Sequence, residues 1–498
     1  MVYKNIISKL TRQGYLIDKS SLTSNEISEL KKKLLVTPKI KNNYGNKDIE
    51  SFPIYLENQT KICIPKFFGL KEIGEPKEEA KYNYDKIELK FNGQLKERQI
   101  EPYTKTIEGL EKKNGGVLSI PCGWGKTVLG LKIISHFNVK TLIIVHKTFL
   151  VNQWKERISQ FLPNARIGMI QQDNIDIEDK DIVIGMLQSI SMKNYDKKVF
   201  SSFGMVIIDE VHRISSKIFS RALHKTSTKY TLGLSATPER EDGLSKIFHW
   251  YLGDMLYQKT QEGNKSVVIK CYNFKANHNK FRCVINNFTK KPNSAKMISN
   301  LMEIDSRNNN ILELIYLLLK DKRRQILILS DRIDHLTLLK DNLDKLHICT
   351  TGYYIGKMKE NELNDSSTKN VIFGTYPMAS EGLDIPSLNT LILATPRSNI
   401  VQSVGRILRR ERTDLNPIVI DIIDNIPPFM GQGYKRKKFY KSMGYIIDNV
   451  NMVDDKIINY NGDDKIKELD DTLIINTIKK EEKEIVKRLD IKSFKFSE

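Results

Sequence analysis

The run Ser119-Ile120-Pro121-Cys122-Gly123-Trp124-Gly125-Lys126-Thr127 carries the residue types that hold a nucleoside triphosphate. Glycines let backbone N–H groups turn onto phosphate oxygens, Lys126 supplies a point charge, and the Thr127 hydroxyl can ligate Mg²⁺. The strict phosphate-loop pattern asks for Gly at position 120, where this chain has Ile. A second run, Met205-Val206-Ile207-Ile208-Asp209-Glu210-Val211-His212, ends an apolar stretch in two carboxylates. Asp209 could hold Mg²⁺ directly or through water, and Glu210 could orient or deprotonate an attacking water. The plain alternative is a solvated Asp-Glu pair capping the next helix.

These groups need strands that end at one edge of a sheet. The apolar segment 116–120 before the glycines and Val128–Ile134 after them read as strand, loop and helix. The run before Asp209 is continuous and apolar, as expected of a parallel strand buried on both faces, and ligands gather at the carboxyl ends of such strands. From Asn92 to about Phe248, further strands at Thr141–Val145, Asp181–Gly185 and Tyr230–Ser235 alternate with helical patterns, which indicates a parallel α/β sheet. The pattern repeats from about 300 to 440, with strands at Gln325–Ser330, Val371–Gly374, Thr390–Ala394 and Pro417–Ile422, and no second phosphate loop.

The expected organisation is α/β: an accessory piece (1–90), a nucleotide-binding layer (91–248), a connection (249–300), a second layer (301–444) and a charged, partly helical tail (445–498). The accessory piece mixes an amphipathic helix, Ser24–Leu35, with short β-like segments. Trp154 reads as the apolar face of a helix rather than a base-stacking platform. Trp124, inside the phosphate loop, could lie over a nucleotide or pack against the neighbouring layer.

Composition sets the outer bounds. The chain has 498 residues, 80 Lys and Arg against 60 Asp and Glu, a net charge of +20 and a pI near 9.4. A pI above about 9 is a footprint of polyanion binding, although abundant Lys, Ile and Asn also suit an A/T-rich coding bias. The five cysteines lack the spacing of a zinc site or a disulfide frame, so a reducing compartment is expected. No apolar run reaches a membrane-spanning length, and Met1–Asp18 has no signal-type core. The expectation is a soluble, intracellular protein that does not engage membranes.

Taken together and in order, the motifs resemble those of a superfamily-2 helicase or translocase over roughly residues 91–440. Leu95-Lys96-Glu97-Arg98-Gln99 looks like the signature ahead of the first motif, with Lys96 in the usual place of Arg. Ile144–Thr148 with Gln153-Trp154 resembles motif Ia, and Gly185–Ser189 the next nucleic-acid contact motif. Asp209–His212 resembles a DEVH-type motif II, and Gly233–Pro238 motif III. Ile328–Arg332, Gly374–Tyr376 with Ser380–Pro386, and Gln402–Arg410 resemble motifs IV, V and VI. The sequence following motif III and the DEVH form look closest to the DNA-directed repair and transcription branch, including the transcript-release helicases of poxviruses and other large DNA viruses. Gln402-Ser403 stands where DEAD-box RNA helicases would show His-Arg.

The resemblance implies two tandem RecA-like parallel-sheet domains, with a small α+β N-terminal domain and a charged C-terminal extension. It implies ATP and Mg²⁺ held by Gln99 (adenine edge), Cys122, Gly123, Trp124, Gly125, Lys126, Thr127, Asp209, Gly382 and Asp384, with the metal on Thr127 and Asp209. Catalysis would fall to Glu210, Lys126 and two arginine fingers, Arg406 and Arg409, whose plain alternative is a solvated helix face. Lys147, Thr148, Gln188, Arg332 and Thr375 would touch the sugar-phosphate backbone, and His212, Ser235, Thr237 and Gln402 would couple the two sites. The leading expectation is a monomeric, ATP-dependent motor on DNA in viral transcription or repair. Partners in the transcription machinery and residence in a viral factory of the host cytoplasm and in the virion fit that reading. An RNA helicase and a non-catalytic transcription or packaging subunit are the alternatives. A translocating nuclease is disfavoured, because neither end of the chain offers a nuclease carboxylate cluster.

Overall fold

Apolar runs of about five residues, each followed by a polar or glycine-containing turn, form parallel strands in both halves of the molecule. The computed structural model describes residues 6–38, 50–79 and 82–459, less 122, 219, 227, 237, 240–241, 261–265, 382–384, 401–402, 405–414 and 455. It divides into two compact units, Met1–Glu262 and Gly263–Glu498.

In the first unit an eight-stranded sheet runs Asn174–Asp176, Ile167–Gln171, Ile182–Met186, Thr141–Val145, Met205–Asp209, Tyr230–Ser235, Gly115–Ser119, Met255–Gln258. All neighbours are parallel except the first pair, an antiparallel hairpin at the edge. The central strands are buried on both faces, which explains their unbroken Val, Ile and Leu content. Helices Lys126–Phe137 and Thr148–Phe161 bury Leu129, Leu131, Ile133, Leu150, Val151 and Ile158 against this sheet. The strand carrying Ser235 lies between the phosphate-loop strand and the acidic strand, with Ser235 opposite Ser119 and Leu234 opposite Asp209. Ser119, Asp209 and Ser235 thus share one carboxyl edge.

The N-terminal piece is a five-stranded, mostly antiparallel sheet with helices Ser24–Leu34 and Lys66–Glu72. A Thr23–Glu26 capping box starts the first helix, satisfying two otherwise orphaned backbone donors. This piece docks on the larger sheet's helices through Phe68, whose ring meets Trp250 edge-on at 5.2 Å.

The second unit is built on the order Thr351–Tyr354, Val371–Thr375, Ile326–Ser330, Thr390–Leu393, Ile418–Asp424, Val268–Lys275, Ile446–Val453, Lys456–Asn459. Strand Ile418–Asp424 is wholly buried and is tied to a helix through each of two aspartates. Arg307 Nε and Nη2 donate to Asp424 at 2.7 and 3.0 Å, while Arg436 and the Tyr440 hydroxyl donate to Asp421.

Two stretches differ from the sequence expectation. The segment read as a connection, in which Ser266–Tyr272 is the expected strand, contributes Met255–Gln258 to the first sheet as well as Val268–Lys275 to the interior of the second. The start of the segment read as a tail, Ile446–Val453, is a strand that pairs along its full length with Val268–Lys275. Its Asp448, Asn449 and Asn451 obscured the pattern; inward burial is confined to Val450 and Met452. Among the described residues no helix is long and apolar enough to cross a membrane.

Candidate active site

The phosphate loop leaves its strand at Ser119 and turns through two left-handed glycines, Gly123 at φ 80° and Gly125 at φ 83°. Gly125 caps helix Lys126–Phe137, so the helix N-terminus, with its partial positive charge, opens beside Lys126 and Thr127. A side chain at 125 would be strained twice: by the backbone, and by a Cβ only 2.4 Å from Gln99 Nε2.

That amide is a latch. Gln99 is 5% exposed; its Nε2 donates to the Trp124 carbonyl at 2.8 Å and its Oε1 accepts from the Lys96 backbone N–H at 2.9 Å. The Gln99 side chain therefore holds the loop closed onto helix Glu97–Lys113. Trp124 packs against the core of its own unit, with the Arg98 guanidinium 5.6 Å from its ring centroid. Arg98 also reaches the Gly123 carbonyl at 3.3 Å.

The acidic strand delivers Asp209 and Glu210 next to this loop. Asp209 Oδ2 accepts the indole N–H of Trp154 at 3.0 Å, and its Oδ1 accepts the Glu210 N–H at 3.0 Å. Trp154 is 1% exposed and reaches across from helix Thr148–Phe161; Gly130 makes room for it, since a Cβ there would stand 3.2 Å from the indole. Removal from water, then repulsion by Glu210, pushes the Asp209 carboxyl above its usual range, against the Trp154 hydrogen bond and the charge of Lys126. Glu210 sits in the left-handed region at φ 51°, a strained backbone for a non-glycine, and its Oε2 is buried without a hydrogen-bond partner.

A carboxylate under-compensated by cations and an orphaned acidic oxygen fit a divalent ion at this edge. Among the described residues no three His, Cys, Asp or Glu side chains form a metal cage. Such an ion would instead rest on Asp209, Thr127 and phosphate oxygens, the usual manner of Mg²⁺.

His212 lies between motif II and motif III, its Nδ1 3.4 Å from Ser235 Oγ and 3.5 Å from Glu210 Oε2. The Ser235 carbonyl accepts the Ile120 N–H at 3.1 Å, so the same residue touches the phosphate loop. Beyond strand Thr141–Val145, His146 is 7% exposed with neither ring nitrogen hydrogen-bonded. Burial, then the charge of Arg213, pushes its pKa down to about 4. Its carbonyl accepts from Gln188 Nε2 at 2.7 Å, which joins two candidate strand-contact motifs.

Lys147 is the N-cap of helix Thr148–Phe161, and Thr148 and Gln188 are exposed. In the second unit Thr375 ends its strand opposite Ser330, and Arg332 Nη2 donates to the Ala295 carbonyl at 3.2 Å. Cys122, Thr237, Gly382, Asp384, Gln402, Arg406 and Arg409 lie outside the described residues. The sequence missed three features: the Trp154 hydrogen bond, the Gln99 latch and the orphaned His146. A tryptophan at a core-facing helix position gives no sign that its N–H meets a carboxylate 55 residues away.

A family model described as the Type III restriction enzyme res subunit matches residues 92–240. A provisionally named ATP-dependent RNA helicase of Acanthamoeba polyphaga mimivirus is 41% identical over 453 residues, covering 89% of this chain and 87% of that protein. A provisionally named helicase of Invertebrate iridescent virus 6 is 29% identical over 386 residues, covering 73% and 84%. A DNA 3′-5′ translocase of Sulfurisphaera tokodaii is 32% identical over 197 residues, 38% of this chain and 40% of its own. Among solved structures, a fragment of an HsdR subunit of a type I restriction enzyme from Vibrio vulnificus shares the fold, with a TM-score of 0.52 at 16% identity over 74% of this chain and 71% of its own.

Proposed function

On the premise that this chain belongs to the superfamily-2 helicases found in large DNA viruses, and is an ATP-dependent helicase or translocase, we propose that it acts on DNA in viral transcription or repair. The observation that carries the reading is the shared edge of Ser119, Asp209 and Ser235, with Lys126 and Thr127 opening a helix beside it. Net charge of +20 supports a polyanionic partner.

The chemistry follows from the first unit's own residues. Backbone N–H groups of the phosphate loop and Lys126 neutralise phosphate charge, and Gln99 keeps that loop in its receptive shape. Glu210 orients the attacking water; its orphaned Oε2 is free to accept from it. Mg²⁺, when bound through Asp209 and Thr127, would supply charge stabilisation on the phosphates. Arg406 and Arg409 are the proposed arginine fingers, a role that can matter by about 10³–10⁵ in rate. His212 and Ser235 are the proposed couplers between nucleotide state and the first unit's proposed strand contacts, Lys147, Thr148 and Gln188; Arg332 and Thr375 are the strand contacts proposed in the second unit.

ATPase activity with and without single-stranded DNA tests the reading on wild type, Lys126→Ala and Glu210→Gln. Stimulation of wild type and loss of turnover in both variants are expected; no response to any DNA overturns the DNA assignment. A second reading, RNA as substrate, is favoured by the name of the mimivirus relative, and RNA-only stimulation in the same assay would establish it.

A further inference from the structure

Between Gly263 and Met302 the chain has no Asp or Glu, yet carries Lys265, Lys270, Lys275, Lys280, Arg282, Lys290, Lys291 and Lys296. In a chain that is otherwise rich in both signs, these forty acid-free residues are a basic stretch of sequence, in which Lys280 is paired with Glu303. At its centre the backbone folds into a tight hairpin closed by the bridge Ile285–Pro292. The Asn286 N–H donates to the Lys291 carbonyl at 2.8 Å, the Lys290 N–H to the Asn286 carbonyl at 2.9 Å, and the Asn293 N–H to the Val284 carbonyl at 2.7 Å. Asn286 Oδ1 accepts the Phe288 and Thr289 N–H groups at 2.9 and 3.0 Å, which fixes the tip.

The tip presents Phe288, 97% exposed, between the exposed cations Arg282, Lys290 and Lys291. An aromatic ring held out in water by a well-bonded hairpin contributes nothing to the core. Its chemistry suits a flat apolar partner that carries negative charge alongside. Unpaired nucleotides have both: a base face to stack on the ring and a phosphate for the cations.

The position in the fold agrees. The hairpin leaves the carboxyl end of strand Val268–Lys275 and runs into helix Ser294–Met302, whose Ala295 carbonyl accepts from Arg332. Arg332 is a candidate strand contact in the same unit, so the helix that follows the hairpin is joined to the proposed nucleic-acid track by a direct hydrogen bond.

We propose that the hairpin Ile285–Pro292 is a stacking site for single-stranded DNA, with Phe288 lying on a base and Arg282, Lys290 and Lys291 on the flanking phosphates. The proposal rests on the motor reading and names a contact that reading lacks. The full chain is tested with labelled oligo(dT) and oligo(U) at one stated salt concentration. Phe288→Ala should weaken oligo(dT) binding about tenfold. It should leave ATPase activity without nucleic acid unchanged. Phe288→Trp should bind normally and show oligo(dT)-dependent quenching beyond that of wild type. Unchanged oligo(dT) affinity in Phe288→Ala together with unquenched Phe288→Trp overturns the site. An effect confined to oligo(U) overturns the DNA assignment, and a change in oligomeric state of Phe288→Ala without a change in binding assigns the tip to self-association instead. Wild-type ATPase that no nucleic acid stimulates sinks the motor reading itself, whereas stimulated wild type with an indifferent Phe288→Ala sinks the hairpin alone.

Discussion

Trp154 Nε1 and Asp209 Oδ2, on two different elements of the first unit, stand 3.0 Å apart in a hydrogen bond that fixes the orientation of the carboxylate. The indole belongs to the helix that begins at Thr148, so a candidate strand contact and the candidate metal ligand are connected through one rigid element. Trp154→Phe keeps most of the packing against Gly130 and removes the donor. Nucleotide affinity without metal should be unchanged in this variant, while the gain in affinity on adding Mg²⁺ should shrink about tenfold, the usual worth of a hydrogen bond to a charged group. Fluorescent-nucleotide titrations with and without Mg²⁺ measure both; equal losses under the two conditions would point to a packing defect.

Gly125→Ala should lose ATP affinity at least tenfold without unfolding the first unit. The substitution must adopt φ 83° and push its Cβ into Gln99 Nε2, which breaks the latch to the Trp124 carbonyl. Gln99→Ala makes the loop floppy without strain and should show a smaller loss. Equilibrium nucleotide binding ranks the pair, and a larger loss in Gln99→Ala would refute the strain argument.

Arg307 and Asp424 form a buried, two-point ion pair, at 1% and 0% side-chain exposure. Removing one partner leaves the other charge stranded, so Asp424→Ala should cost about 3–5 kcal/mol. The second unit should then unfold at lower denaturant concentration. Arg307→Met with Asp424→Leu should recover a large part of that loss; denaturant curves on the single and double variants make the comparison.

Among the described residues, His146, His224 and His335 are imidazoles buried in their neutral form. Burial pushes His146 and His224 down to about 4, and His335 to about 3. The unfolded chain takes up these protons near pH 6.5 and the folded one does not, so stability present above that pH is lost as pH falls toward 4. The loss should reach about 2 kcal/mol per imidazole near pH 5. Thermal unfolding between pH 7 and pH 5 checks the direction, and His335→Asn should flatten the slope. Replacement of His146 should flatten it as well, since its ring has no partner to lose.

Much of the architecture was legible because buried parallel strands are uniformly apolar: Thr141–Val145 and Met205–Asp209 follow directly from their runs of Leu, Ile and Val. Ile446–Val453 was not, because three of its eight residues are Asp or Asn and only Val450 and Met452 face inward. The same division holds at the site. Lys126, Asp209 and Glu210 stand out as candidates through local spacing. Contacts made across the sheet, such as Trp154 with Asp209 or Arg307 with Asp424, join residues 55 and 117 apart and leave no periodic trace.

The pairing of Ile446–Val453 with Val268–Lys275 bears on how shortened versions of this protein should be cut. A truncation at 445, the natural choice if everything beyond were an appendage, would strip away the strand covering one side of Val268–Lys275 and bare the N–H and C=O groups on that side, the other side staying paired with Ile418–Asp424. Such an open border invites another chain to add a strand there. Shortened versions ending near 445 should therefore clump, whereas those retaining Lys456–Asn459 keep that side of Val268–Lys275 covered by the hairpin of Ile446–Val453 and Lys456–Asn459.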